Sequence, residues 1–138
     1  MSLYRVFDIA GTGMSAQSVR LNTTASNVAN ADSVSSSVET TYRARHPVFA
    51  AELSKAAAHQ ESAGVRVVGI VESEKPLTPE YAPNHPMADD NGFIYKSNVN
   101  VIEEMTNMVS ANRSYQTNVR VADMAKQMLN QTLRLGQS

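Results

Sequence analysis

The sequence predicts a mainly α chain, with long N- and C-terminal helices paired as an antiparallel coiled-coil-like hairpin and a small β-containing, Pro-rich middle region. Three observations carry that reading. Phe7, Met14, Leu21 and Val28 recur every seven residues near the start. Val101, Met105, Met108, Tyr115, Val119, Ala122, Leu129 and Leu133 recur at spacings of three, four or seven near the end. Between the two stripes, Pro76, Pro79, Pro83 and Pro86 exclude a continuous helix.

The first helix is predicted over residues 3–30. Ala10, Gly11, Ser18 and Ala25 fill the same side as the large residues, which makes a narrow stripe of heptad period. At 1.5 Å per residue such a helix is about 42 Å long. The second is predicted over residues 99–135, at about 55 Å. Asn112 and Lys126 interrupt its stripe. Asn100 followed by Glu103 has the spacing of a capping box, and Gly136 stands where a helix C-cap belongs.

The middle differs in composition. Residues 32–37 are small and polar and read as a loop. Val65, Val67, Gly69 and Val71 alternate as in a short strand. Residues 50–58 allow one or two helical turns. The four prolines make an extended, turn-rich excursion, and Asp90, Asn91 and Gly92 form a turn before Phe93 and Tyr95. The chain thus divides into 1–30, 31–98 and 99–138.

Two long stripes at opposite ends point to one helical seam. Leu, Ile, Val and Phe make up about a fifth of the chain, close to the roughly 20% level at which a lone core becomes thin. Trp is absent. The terminal helices carry few charges, and their surfaces are rich in Ala, Ser, Thr, Asn and Gln. Such helices are marginal alone and gain order when neighbours cover their other faces. Phe7, Met14, Leu21 and Val28 are expected to pack on Met108, Tyr115, Ala122 and Leu129, with Phe7 near Leu129 and Val28 near Met108 or Val101. Asn27, Asn30 and Asp32 are expected to cap and turn the chain where the first helix ends, helped by their tolerance of left-handed backbone.

Several function classes drop out. The formal net charge is −1, without the clustered cations that nucleic-acid binding requires. There is no Cys, hence no disulfide, thiol nucleophile or thiolate metal site. No apolar run is long enough to span a membrane, and the N-terminus lacks the pattern of a cleaved secretory signal. His46, His59 and His85 have no partner at metal-ligand spacing, and His46 and His85 precede prolines. Gly11-Thr12-Gly13 lacks the rest of a dinucleotide fingerprint. Asp89, Asp90 and Asn91 lack the ligand spacing of a calcium loop. Met105, Met108, Met124 and Met128 read as packing residues. The expectation is a protein with no cofactor, no metal and no catalysis.

Specific strings go further than periodicity. Ala25-Ser26-Asn27-Val28-Ala29-Asn30-Ala31-Asp32-Ser33 resembles the signature of the bacterial flagellar rod and hook protein family. Phe7-Asp8-Ile9-Ala10-Gly11, Met14, Ala16-Gln17 and Arg20-Leu21-Asn22 are similar to its N-terminal segment. Glu104-Met105, Asn107-Met108, Ser110-Ala111-Asn112-Arg113-Ser114-Tyr115-Gln116 and Asn118-Val119 resemble its C-terminal segment, as do Lys126, Met128-Leu129, Thr132-Leu133 and Leu135-Gly136-Gln137. Tyr42-Arg43-Ala44-Arg45, Val48-Phe49, Gly64-Val65, Glu72-Ser73 and Asn98-Val99 narrow the resemblance to the proximal-rod members. Residues 34–41 lack the Gly-rich turn of that subtype, and residues 51–62 are individual.

The resemblance implies a structural subunit that polymerises into the proximal drive-shaft tube of the basal body. That tube transmits torque and surrounds the export channel. Implied partners are the chain itself, other rod subunits, a rod-to-membrane-ring adaptor and the type III export apparatus. The implied location is the periplasmic rod, reached from the cytoplasm without signal cleavage. Gln17, Asn22, Asn112, Arg113, Gln116 and Asn118 become candidate interface residues, and the polar side of the second helix, including Asn107, Ser114, Gln127, Asn130 and Gln131, a candidate channel lining. The competing reading is a coiled-coil adaptor or chaperone-like module of a secretion apparatus. A small hydrolase is a more remote one.

Overall fold

Ser2 opens the first helix, its Oγ accepting from the Arg5 amide at 3.4 Å. In the computed structural model, which describes residues 2–52 and 64–136, this helix α1 runs Leu3–Ala29. Asn30 closes it: its Nδ2 donates to the Ser26 carbonyl at 2.8 Å, and its own carbonyl accepts from the Ser33 amide and hydroxyl. The turn forms without left-handed backbone at Asn27, Asn30 or Asp32, since among the described residues only Gly92 has a positive φ. That corrects the conformational part of the expectation. Side-chain bonds to carbonyls, and not αL geometry, end the helix.

Five strands follow. They are β1 (Val34–Ser35), β2 (Arg45–Glu52), β3 (Gly64–Glu72), β4 (Thr78–Tyr81) and β5 (Phe93–Lys96). β1, β5 and β4 make a three-stranded antiparallel sheet in that order, and β2 and β3 form a separate antiparallel ribbon. In the ribbon Arg45 faces Glu72 and Glu52 faces Gly64, with one irregularity between Val48 and Phe49. Pro79 lies on the edge strand β4, where the missing amide leaves no ladder bond unmade. The strand expected around Val65–Val71 is β3. Residues 50–52, expected to be helical, belong to β2, because pairing with Val65 and its neighbours overrides the helix propensity of alanine. The rest of that expected helix, residues 53–58, and His59 lie outside the described residues. The expected loop at 32–37 contains the two-residue β1.

Helix α2 runs Val101–Leu135. Asn100 caps it, Oδ1 accepting from the Ile102 and Glu103 amides at 3.1 and 3.3 Å. Glu103 turns away from the cap and pairs with Lys75 at 3.2 Å. α1 lies against both α2 and the ribbon, where the Val65 amide donates to Thr12 Oγ1 at 3.1 Å. Contacts along the two helices run in opposite senses. Asn27 meets Glu104, Gly13 lies against Asn118, and Phe7 shares a cleft with Ala125 and Leu129.

Apart from Ile94, the buried apolar residues are alanines. Among the described residues they are Ala10, Ala16, Ala44, Ile94, Ala111, Ala122 and Ala125. Alanine buries little apolar area, so the core contributes little per residue and the helices rest on close approach.

The turn before β5 is built around Asp89, whose Oδ1 accepts from the Asn91 and Phe93 amides at 2.9 and 2.8 Å. It needs Gly92 at φ 82°. A Cβ there would lie 2.9 Å from the Tyr81 ring and 3.1 Å from Pro83. Gly92→Ala is therefore expected to destabilise the middle region by about 1–2 kcal/mol or more, read as a lower urea midpoint for the near-UV signal of Tyr81 and Tyr95.

Candidate assembly site

Asn27 is fully buried. Its amide has two donor hydrogens and two acceptor lone pairs, and all four are used. Nδ2 donates to the Arg45 carbonyl at 2.8 Å and to Glu104 Oε2 at 2.9 Å. Oδ1 accepts from the Arg45 amide and the Tyr42 hydroxyl, both at 2.9 Å. Toward Arg45 the side chain behaves as a neighbouring strand does, exchanging both bonds with one residue at the start of β2. Toward Glu104 it holds a carboxylate that is only 3% exposed. One side chain thus joins the end of α1, the entry of the middle region and the first turn of α2.

A second amide works beside it. Asn98 Oδ1 accepts from the Ala44 amide at 2.7 Å, and Nδ2 donates to the Ser73 and Lys75 carbonyls at 3.3 and 2.8 Å. Arg43 reaches the same two carbonyls. Arg45 also stacks its guanidinium 5.4 Å from the Tyr42 ring centre and pairs with Glu72.

Along the helices, the expected seam of large residues is corrected to one of small and polar residues. On α1 the covered positions include Val6, Ala10, Gly13, Gln17, Arg20, Thr24 and Asn27; on α2 they include Glu104, Asn107, Ala111, Ser114, Asn118, Val121 and Ala125. Both sets step by three and four, the same period as the expected stripes on a shifted face. Phe7 and Met105 are exposed at 51% and 53%, and Tyr115 also belongs to the outer surface. Met14, Leu21, Val28, Val101, Met108, Val119 and Leu129 are half-buried at the flanks, and Ala122 is buried. The reason is steric. Ala10, Ala111 and Ala125 are buried on the facing sides and Gly13 meets the Asn118 side chain, so the helices approach closely there, and the largest apolar residues fall outside that approach.

The other expected residues separate in the same way. Gln17 and Asn118 face the seam, with Gln17 Oε1 buried and without a hydrogen-bond partner among the described residues. Asn22, Asn112, Arg113 and Gln116 are exposed, and Gln116 donates to Asn112 at 3.1 Å. Of the signature turn, Ser26 Oγ meets the Tyr42 hydroxyl at 3.2 Å, Ala25 and Ala29 are exposed, and Asp32 is exposed. Asn107 and Ser114, expected on a channel-lining side, sit partly in the seam, where Asn107 accepts from Arg20 at 3.2 Å. Gln127, Asn130 and Gln131 are exposed. His46 lies in β2, and His85 Nδ1 accepts from the Met87 amide in a turn. Sequence reasoning missed the roles of Tyr42, Arg45, Asn98 and Glu104. The available signal was the heptad of Glu104, Ala111, Asn118 and Ala125, hidden because it is not hydrophobic.

Outside the seam two apolar patches are exposed. Ile102 is 78% exposed, and with Met105, Val109 and Arg113 it borders a shallow groove on the face of α2 away from α1. At the opposite end Tyr4 and Phe7 are exposed beside a cleft closed by Leu3, Ala125 and Leu129. No described helix is long and apolar enough to cross a membrane.

Known proteins match along the whole chain. Residues 7–35 match the family described as flagella basal body rod protein, and residues 90–135 match the flagellar basal body rod FlgEFG protein C-terminal family. The flagellar basal-body rod protein FlgC of Salmonella typhimurium is 47% identical over 137 residues, covering 99% of this chain and 100% of the relative. FlgC of Escherichia coli O157:H7 is 46% identical over the same coverage, and FlgC of Buchnera aphidicola subsp. Acyrthosiphon pisum is 41% identical over 139 residues, again with 99% and 100% coverage. The chain belongs to the FlgC family of flagellar basal-body rod proteins. The two matched segments hold the two ends of the buried bond, Asn27 in one and Glu104 in the other. The ribbon of β2 and β3 falls between them.

Asn27→Ala leaves Glu104, the Tyr42 hydroxyl and both backbone groups of Arg45 without this partner. The expected loss is about 3 kcal/mol or more of folding stability, measured by chemical denaturation. Asn22→Ala, on the exposed face of the same helix, should stay within about 0.5 kcal/mol.

Proposed function

We propose that this chain is a structural subunit of the flagellar basal-body rod in which residues 1–30 and 99–138 form the rod core and residues 31–98 form an appended middle region. α1 and α2 act as an antiparallel coiled-coil-like hairpin. Copies associate with one another and with other rod subunits into the proximal drive-shaft tube, which transmits torque and surrounds the export channel. At the membrane end the tube meets a rod-to-ring adaptor. The chain reaches the periplasm through the flagellar type III export apparatus. Neutral groups such as Gln127, Asn130 and Gln131 suit the wall of a conduit for unfolded chains, since they hold passing segments neither by charge nor by a large apolar area.

One observation carries the assembly reading. The helix pair satisfies its own contact with small residues and keeps Phe7, Ile102, Met105 and Val109 outside. Two exposed apolar patches, one near each end of α2, on a chain with a largely alanine core favour contact with other protein. Covering them supplies the burial that the lone hairpin lacks.

The test is Ile102→Asp with Met105→Asp. Both side chains are exposed, so the helix content of the isolated chain should change little by circular dichroism. Export into the medium or periplasm should persist, while the variant is absent from purified basal bodies and cells lose motility. Normal incorporation of this variant would refute the assembly role of the α2 outer face.

A further inference from the structure

A seam made mostly of alanine, serine, threonine, asparagine and glycine specifies its register weakly. Ala111, Asn118 and Ala125 stand one heptad apart on the same side of α2; Asn118 lies against Gly13, and a slip of one heptad either way would set Ala111 or Ala125 there instead. Sliding the helices by one heptad moves them about 10.5 Å and, at Gly13, exchanges one small or short residue for another. Packing alone does not separate those settings well.

Charge and hydrogen bonding do. In the observed setting Glu104 faces Asn27 and Gly13 faces Asn118. A slip in one direction sets Gly13 against Ala111 and brings Glu104 opposite Arg20. That alternative is attractive, because a carboxylate gains a guanidinium. A slip in the other direction sets Gly13 against Ala125 and carries Glu104 past the end of α1 at Ala29. The observed setting prevails because Asn27 meets Glu104 while its other three bonds fix Tyr42 and Arg45, and because Arg20 is occupied by Asn107.

We propose that Asn27 and Glu104 are specificity-determining residues of the hairpin, whose buried bond selects the register of α2 against α1 and excludes the Arg20–Glu104 setting. A single polar position inside a helical seam acts in this way in other coiled coils. The use of a fixed register in building a regular tube rests on the rod reading above. The register itself does not, and its test needs no assembled rod.

The chain contains no cysteine, so introduced pairs report cleanly. Gly13→Cys is combined with Asn118→Cys for the observed register, with Ala111→Cys for the Arg20 setting, and with Ala125→Cys for the opposite slip, the last two carrying Asn118→Ala so that the new Cβ at position 13 does not itself clash with the Asn118 side chain. Full-length chains are oxidised with copper–phenanthroline at high dilution, and the intrachain disulfide is quantified by mass spectrometry. In the Asn27 background the 13–118 pair should exceed either alternative by about tenfold, the population ratio expected for a buried hydrogen bond left unmade. Asn27→Leu should move crosslinking toward 13–111. Asn27→Asp, which keeps the volume but sets a carboxylate against Glu104, should do the same. Glu104→Gln, which can still accept from Asn27, should retain 13–118.

Equal crosslinking of all three pairs in the Asn27 background overturns the proposal. So does exclusive 13–118 crosslinking in both Asn27 variants. Loss of helix with loss of every crosslink in both variants also overturns it, because that result assigns the pair to folding and not to register choice. Failure of the rod reading appears elsewhere, as a hairpin of correct register that never enters a basal body.

Discussion

A buried primary amide is costly unless every donor and acceptor on it is matched. Asn27 meets that condition only if three segments far apart in sequence arrive together. Tyr42 and Arg45 must turn back beside the end of α1, and Glu104 must come round on the first turn of α2. The bond set therefore couples helix pairing to the placement of the middle region. Without it the relation of helices and ribbon rests on separate single bonds such as Val65 to Thr12 and Arg20 to Asn107. Few other side chains could replace it. Aspartate has the acceptors but, when ionised, no donor for Glu104 or the Arg45 carbonyl, and glutamine adds a methylene to a site with no exposed surface.

The rest of the helical interface is consistent with that constraint. Helices that must bring Asn27 within 2.9 Å of a carboxylate have to approach closely, and the seam is lined accordingly by Ala10, Gly13, Ala111 and Ala125. Phenylalanine and methionine fall outside that approach. Those residues move to the flanks and the outside, where they add little to the isolated subunit. Weak self-burial and exposed apolar patches are thus one fact seen from two sides. Under the rod reading proposed above, the same arrangement lets a subunit become rigid only where neighbours meet it. Its stability is held in reserve on surfaces that only neighbours can cover.

Both helices were legible from the sequence to within about two residues, because their heptads are long and free of proline. Their facing sides were not. The reading followed Phe7, Met14, Leu21 and Val28, since hydrophobic period is the usual guide to a buried face. It assumed that the seam buries what is most apolar. Here the seam buries small and polar residues, which carry no signal in a hydrophobic pattern. β3 stood out through its alternating valines, and the Asp90-Asn91-Gly92 turn through its composition. β2 did not, because Arg45, His46 and Pro47 look like loop and Ala50 and Ala51 like helix, until the ladder with β3 is formed. The signature around Asn27 identified the family as a string. Its physical meaning depends on Tyr42, Arg45 and Glu104, up to 77 positions away, and a single sequence holds no record of which distant residues an asparagine meets.

In the drive-shaft role proposed above, torque gives the amide junction a further consequence. Load passing between a core of helices and an appended middle region must cross their connection. α1 packs on both strands of the ribbon, but apolar contact is non-directional and resists sideways sliding weakly. Directional bonds resist shear better, because they weaken steeply with angle as well as distance. Asn27 holds both backbone groups of Arg45, and Asn98 holds the Ala44 amide with the carbonyls of Ser73 and Lys75. Adjacent residues at the root of β2 are therefore fastened from two sides, one asparagine at the end of α1 and the other just before α2. The ribbon cannot rotate about its base without breaking bonds to both helical segments. Two asparagines supply stiffness where a thin core cannot.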